Sequence, residues 1–399
     1  MELGFSPEQE MLRESAREFL ARECPMDEVR KQLEPDAAFP EALWEQLGEL
    51  GWFGLNIPEQ WGGSGLGPLD LAVLQEELGR VLCPVPFGST ATVGAAALLH
   101  AGSPDQCERW LPQMAQGRLR TTLAQLEGHG AWDASGIQLQ AISSDGGYRL
   151  SGQKLFVPDA AAAHLLIVAV RTAPAEPEPE RGVTLLLVDP NLPGVSIRPI
   201  AYNERIRPLA EVSFDDVQVG TDAVLGTEGA GWPVLALVND HGRVGLCAEI
   251  CGAAERVLEL SVDYAQTREQ FGQPIGRFQA IQHKCADMLV RCESIRSAAY
   301  YAAWALHAGE SDAHTSACLA KAYCAPAYGE IAAAGIQIHG GLGFTWEQDL
   351  HLYFKHAQAA EFAWGDATHN RELAAKQLLD SAPGDRTALS EEVPTRDWQ

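Results

Sequence analysis

Between Tyr264 and Met288 the chain reads YAQTREQFGQPIGRFQAIQHKCADM, and this stretch holds the side chains best suited to gripping an anionic ligand. Arg268 carries a planar, permanently charged fork matched to phosphate oxygens. Phe271 supplies a ring that can lie against a heterocycle, and Gly272 and Gly276 let backbone approach a partner closely. A lone arginine is most often a solvated helix end. Here a cation, a ring and two glycines share one loop between helical patterns, which reads as a contact for the diphosphate of a dinucleotide.

Such a loop needs a large scaffold. With 399 residues, 46% of them hydrophobic, the chain can bury more than one core, because single cores stop growing at roughly 250 to 300 residues. Acidic side chains outnumber basic ones 54 to 29, a formal charge of −25. That balance argues against nucleic acid or an anionic membrane as partner, since both need a basic face. Any anionic ligand must be met locally. Nine cysteines show no CxxC pairing and no ligand spacing with histidine, so neither a zinc site nor a disulfide framework is expected. The glutamates within the first twenty residues speak against a signal or transit peptide, and no apolar run approaches a membrane span. A bacterial cytoplasmic location is the simplest expectation.

The pattern along the chain predicts α+β architecture. From Ser6 to about Arg118, apolar residues recur at three and four, as in Leu43, Leu47 and Leu50, which predicts amphipathic helices. Ser6-Pro7-Glu8-Gln9 supplies a cap and a first-turn proline. Pro58 to Gly67 reads as a glycine loop. Between Thr121 and Thr227 the pattern shifts to short β-rich runs at Tyr148–Leu150, Leu165–Val170, Val183–Val188, Val195–Ile200 and Val212–Val219. Asp145-Gly146-Gly147 and Asp189-Pro190-Asn191 are turn chemistry, and the Pro- and Glu-rich segment Thr172–Arg181 is a surface loop. From Trp232 to Leu379 the helical period returns over alanine-rich segments such as Arg243–Glu269 and Ile281–Ala308, long enough for an antiparallel bundle. The expected domains are an N-terminal helical domain (1–118), a middle β domain (119–227) and a C-terminal bundle (228–380), with a disordered polar tail (381–399). There is no internal repeat.

The string REQFGQPIGRFQAIQH (Arg268–His283), with LGELGWFGLNIPEQWGGSGLG (Leu47–Gly67), the Gly152-Gln153-Lys154 turn and IQIHGGLGFTWE (Ile336–Glu347), resembles the acyl-CoA dehydrogenase family over about Phe5 to Leu379. These flavoenzymes oxidise an acyl-CoA thioester to its 2,3-enoyl form with bound FAD. The resemblance implies the family fold: an N-terminal helical domain, a middle β-barrel or sandwich and a C-terminal four-helix bundle. It implies that Arg268, Phe271, Gln337, Gly340 and Gly341 reach across a dimer interface to the diphosphate and adenosine of a neighbour's FAD. It also implies an acyl-CoA substrate, an electron-transfer flavoprotein as electron acceptor, and a homo- or hetero-oligomer, dimer or tetramer.

Departures from the family pattern lie around the flavin ring and the base. Where the family usually has Thr-Glu, this chain has Leu126-Glu127, and where it often has Trp-Ile-Thr, this chain has Phe156-Val157-Pro158. Leucine and proline donate no side-chain hydrogen bond, but Phe156 keeps an aromatic wall and backbone N–H groups remain. The reaction needs a carboxylate to take the α-proton. The family's two seats for that glutamate fall here on Trp364 and on Gly242. Asp240 and Asp366 lie two residues from these seats and are the candidate bases. The milder reading makes Asp240, with Arg243, a substrate contact and lets Asp366 touch the nucleotide or a nearby amide. His339 and His369 match no triad, and Cys247 and Cys251 fit a packed apolar stripe.

Three readings follow: a complete FAD-dependent acyl-CoA dehydrogenase with an unusual base, a subunit that completes a neighbour's FAD site in a heteromeric enzyme acting on bulky acyl-CoAs, or a CoA-thioester-binding scaffold. Acyl length and shape are not legible, since pocket walls look like core.

Overall fold

The computed structural model describes residues 5–34, 37, 39–175 and 177–380. The expected tail at 381–399 lies outside the described residues. In chain order the helices are α1 (Pro7–Glu23), α2 (Met26–Lys31), α3 (Glu41–Glu49), α4 (Pro68–Arg80), α5 (Ala95–Ala101), α6 (Pro104–Ala115), α7 (Trp232–Thr267), α8 (Gln279–Ala308), α9 (Ala313–His339), α10 (Leu350–Phe362) and α11 (Ala367–Asp380). The strands are β1 (Thr121–Ala124), β2 (Ala141–Ser144), β3 (Gly147–Pro158), β4 (Leu165–Arg171), β5 (Val183–Val188), β6 (Val195–Pro199), β7 (Leu209–Gly220), β8 (Val224–Leu225), β9 (Glu269–Gln270) and β10 (Gln273–Pro274). The architecture is α+β: helices, then strands, then a C-terminal helical bundle.

Packing divides the described residues into two compact units. One takes the described residues of Met1–Lys31, Pro68–Cys83 and Arg243–Gln399, the other those of Gln32–Gly67 and Pro84–Gly242.

In the helical unit, α9 packs against α8, α10 and α11, and α4 lies against α1 and α8. Alanines such as Ala302, Ala303, Ala325 and Ala332 are fully buried, and their small side chains let the helices lie close. Ser6 starts α1 as expected: its Oγ accepts from Gln9 N at 3.2 Å while Gln9 Oε1 accepts from Ser6 N at 3.1 Å, so two orphan donors are met at once. A buried ion pair ties α4 to α8. Glu76, wholly buried, accepts from Arg296 Nη1 at 2.7 Å and from the Tyr300 hydroxyl at 2.5 Å. Burial raises its carboxyl, and Arg296 opposes that rise. Removing Arg296 would strand the buried Glu76 charge, at a cost of about 3–5 kcal/mol, whereas Arg296 keeps a second partner in Glu255 at 3.3 Å.

The other unit is built on two four-stranded sheets, ordered β1-β4-β5-β8 and β2-β3-β7-β6. β1 pairs with β4 in parallel, Thr121 opposite Leu165, and the remaining pairings are antiparallel. Leu150, Val168, Val170, Leu186, Val212 and Phe214 belong to the core that both sheets share. Every residue of β4 and β5 is buried, which is why both read as nearly continuous apolar runs, Thr184 and the terminal Arg171 apart. β3 joins β2 through the Asp145-Gly146 turn, with Ser144 opposite Gly147, as the turn residues predict. β3 and β7 slip register between Lys154 and Val157, from Lys154 opposite Val212 to Val157 opposite Ala210. One extra residue is thereby forced into β3, and such a bulge re-aims the side chains it carries.

Candidate functional site

The segment from Arg268 forms a hairpin rather than a plain loop. β9 and β10 pair with Gln270 opposite Gln273, so Phe271-Gly272 is a two-residue turn. Both of its residues are left-handed, φ 55° and 78°, the geometry that matches the twist of a tight hairpin. A non-glycine residue in that conformation is strained by about 1–3 kcal/mol, and Phe271 holds it while its ring is 92% exposed. Its packing is slight, an edge contact to Phe278 at 6.0 Å. The hairpin is fixed at its base: Arg268 N donates to Tyr264 O, and Ile275 N to Arg268 O, each at 2.8 Å. The Arg268 guanidinium therefore leaves the end of α7 from a rigid backbone, exposed to solvent.

The second glycine segment follows α9. Gly340 has φ 62° and ψ −139°, a conformation open only to glycine. A Cβ built at Gly340 or Gly341 would meet nothing within 4 Å, so this backbone faces open space. Gln337, one turn earlier, is exposed as well. The two segments meet through their helix ends. Tyr264 of α7 and His339 of α9 stack with ring centroids 4.1 Å apart and planes at 21°. His339 Nδ1 lies 2.9 Å from the Gly335 carbonyl, which can only accept, so Nδ1 carries the proton. Burial holds the imidazole below its ordinary value and keeps it neutral. His339 is a packing residue that registers two turns. Arg268, Phe271, Gln337, Gly340 and Gly341 thus all lie on the chain within a few residues of one aromatic stack. An exposed guanidinium, an exposed ring and an open glycine backbone fit a dinucleotide's diphosphate and base.

Phe156 sits in the β3 bulge with φ 53°, and its side chain is exposed. Leu155 N donates to Leu126 O at 2.9 Å, so Leu126-Glu127 and Leu155-Phe156 form one corner. Beneath it Lys154, fully buried, donates to Gln125 O at 3.0 Å and to Glu127 Oε1 at 2.6 Å. Glu127 Oε1 also accepts from Gln138 N and Leu139 N, each at 2.9 Å. Burial lowers the Lys154 ammonium to about 8, with Glu127 opposing. The pair fixes the corner, and the side chain of Glu127 is taken up by it.

The two candidate bases have different surroundings. Asp240 is 4% exposed within α7, and Arg243, one turn on, is likewise buried. Asp366 is exposed and directly precedes α11, where its Oδ1 accepts from His369 N at 2.7 Å. That is an N-cap, the nearby-amide reading of this residue. Trp364, on the seat aligned with the family's glutamate, has φ 60°. Cys247 and Cys251 are buried, and burial pushes the Cys251 thiol far up, in keeping with a packed stripe.

Sequence reasoning did not find Lys321, Asn370 or the Lys154–Glu127 pair, because a lysine or asparagine gives no sign in the sequence that it will be buried. The cap at Asp366 had a signal, an acid just before a helical pattern.

Three family models match the chain in order: the acyl-CoA dehydrogenase N-terminal domain over residues 6–118, the middle domain over 124–217 and the C-terminal domain over 229–379. An acyl-CoA dehydrogenase of Bacillus subtilis (strain 168) is 31% identical over 380 residues, spanning 93% of this chain and 98% of that protein. Butyryl-CoA dehydrogenase from Megasphaera elsdenii superposes with a TM-score of 0.89 at 26% identity, over 95% of this chain and 100% of that one. PigA, solved with FAD and proline, gives 0.87 at 26% identity over 95% and 99%. Among the described residues no helix is long and apolar enough to cross a membrane. With three family models matched in order and relatives similar along nearly its whole length, the chain belongs to the acyl-CoA dehydrogenase family, whose members are flavin-dependent oxidoreductases.

Proposed function

We propose that this chain is a subunit of an FAD-dependent acyl-CoA dehydrogenase that converts an acyl-CoA thioester to its 2,3-enoyl form and passes electrons to an electron-transfer flavoprotein. The observation that carries the reading is the registered pair of turns, with Arg268 and Phe271 on one and Gly340 and Gly341 on the other, exposed where a second subunit could present its coenzyme. FAD, when bound, supplies the hydride acceptor. Arg268 pairs with the pyrophosphate through its fork, Phe271 packs on the adenine, and Gln337 with the Gly340–Gly341 backbone completes the grip. Phe156 serves as an aromatic wall for the ring system. The assembly is an oligomer, because these groups point away from their own unit's core, and its proposed location is the cytoplasm. The boundaries at residues 118 and 227 are retained as the proposed domain limits.

Asp240, the buried acid, is first a substrate contact, with Arg243 beside it in sequence on the CoA portion, and second a candidate base. Asp366 is the weaker candidate, since one of its oxygens already caps α11. A second reading has a specific observation behind it. With Trp364 and Gly242 on both family seats, the base belongs to a homologous partner chain, and this chain completes that partner's FAD site. The chain purified alone, and again with a homologue bearing glutamate at the seat of Trp364, should show flavin absorbance and acyl-CoA-dependent dye reduction in at least one preparation. Colourless, inert protein in both would end the proposal, and full activity alone would end the second reading.

A further inference from the structure

Lys321 lies on α9 with no exposed surface, and the carboxylate of Glu361 acts on it through space rather than by a hydrogen bond to its Nζ. Its Nζ donates to two backbone carbonyls, Glu361 O at 3.1 Å and Gly365 O at 3.0 Å. Asn370, fully buried on α11, aims Nδ2 at the same link. It donates to Trp364 O at 3.2 Å, Gly365 O at 3.0 Å and Asp366 O at 2.9 Å. Two buried side chains therefore gather four carbonyls, that of Glu361 in the last turn of α10 and those of Trp364, Gly365 and Asp366 in the link to α11.

The link is itself unusual. Trp364 and Gly365 are both left-handed, φ 60° and 84°, and for tryptophan this conformation costs about 1–3 kcal/mol. Burying the Lys321 ammonium costs several kcal/mol more, about what desolvation of one ion demands, and Glu361 offsets part of that cost. A lysine that only capped a helix C-terminus would stand at the surface of its own helix. Lys321 instead arrives from a different helix, through the core. Asn370 shows the same priority, because its Oδ1 is buried with no hydrogen-bond partner while Nδ2 serves three carbonyls. A simple helix–helix turn needs neither side chain.

We infer that Lys321 and Asn370 are positioning residues that hold the Ala363–Asp366 turn, and with it the side chain at position 364, in one left-handed arrangement. Lys321 collects the last carbonyl region of α10 and the centre of the turn, and Asn370 closes it from α11. Without either donor group the tryptophan relaxes toward ordinary backbone and its indole moves. That the position so held is the seat of the reaction's base rests on the function proposed above, whereas the anchoring stands without it.

The test is 19F NMR of the full chain labelled with 5-fluorotryptophan, in which the Trp364 resonance is the one lost in Trp364→Phe. In Lys321→Met, which keeps volume and removes the amine, and in Asn370→Ala, that resonance should shift by more than its linewidth or split, while the other nine of the chain's ten tryptophans hold their positions. An unmoved Trp364 resonance in both folded variants overturns the inference. If Lys321→Met fails to fold, Asn370→Ala alone decides. FAD retention read on the unmodified chain, alone and with the homologue bearing glutamate at the seat of Trp364, separates the two claims: absence of flavin from both removes the proposed function and leaves the 19F result intact.

Discussion

The rings of Tyr264 and His339 stack face to face 4.1 Å apart, joining the end of α7 to the end of α9 one helical turn before Arg268 and one residue before Gly340. Neither ring has a chemical task in this arrangement. Each fixes where its own turn begins, so the spacing between guanidinium and glycine backbone is set by an aromatic contact.

Replacing one ring should therefore weaken coenzyme binding at a distance. Stacked pairs contribute about 0.5–1.5 kcal/mol beyond the area they bury, so Tyr264→Ala should raise the Kd for FAD by roughly two- to tenfold, while Tyr264→Phe, which keeps the ring, stays close to the parent. Fluorescence titration of apoprotein with FAD measures both. Equal affinity for the alanine and phenylalanine variants would show that the stack registers nothing.

Phe271 offers the cleanest separation of binding from folding. Its ring is 92% exposed, so Phe271→Ala should change stability by only about 0.5 kcal/mol or less, with relief of its left-handed strain limited because alanine is strained there too. FAD retention by the assembled oligomer should nonetheless fall several-fold, as should that of Arg268→Lys, which keeps the charge and loses the planar fork. Thermal melts beside flavin absorbance after gel filtration provide the check. A stability loss without a flavin loss would make Phe271 structural.

Much of this arrangement was legible in the chain. β4 and β5 are buried on both faces and appear as largely apolar runs, broken in β5 only by Thr184, and the cap and first-turn proline at Ser6–Gln9 were readable from residue types alone. β1 and β2, Thr-Thr-Leu-Ala and Ala-Ile-Ser-Ser, are too short and mixed for periodicity to find, and two-residue β8 more so. The hairpin at Phe271-Gly272 lacks the Asn-Gly signature of such turns, so the segment read as a loop. The anchors Lys154, Lys321 and Asn370 depend on burial, which depends on contacts distant in sequence. No local pattern announces a lysine that will end in the core.

Asp240 and Asp366 predict opposite phenotypes. Removing a general base typically lowers turnover by about 10²–10⁴-fold, which is the loss expected for Asp240→Asn in acyl-CoA-dependent dye reduction, with the fold intact by circular dichroism. Asp366→Ala should cost about 1 kcal/mol of stability as a lost N-cap and leave turnover within a few-fold. If turnover survives both substitutions in an active assembly, neither Asp240 nor Asp366 is the base.

The pH dependence of stability offers a separate view of Lys321. Burial, with Arg243 adding to it, depresses its ammonium from 10.5 to about 8, against opposing pulls from Cys247, Cys324 and Glu361. Below pH 8 the lysine is protonated folded or unfolded, and the native state bears the cost of a buried charge. Between 8 and 10.5 the native protein has released the proton and the unfolded chain still holds it, so the unfolded state binds more protons and this group's contribution to stability rises with pH. Above 10.5 both are neutral and the rise stops. The full difference corresponds to about 3 kcal/mol. Because the other titrating groups are common to both proteins, the unfolding free energy of the parent minus that of Lys321→Met should climb across this window and be level below it. Urea unfolding at pH 7, 9 and 10.5 measures the difference, and a flat or falling trend would mean that the amine stays charged in the core.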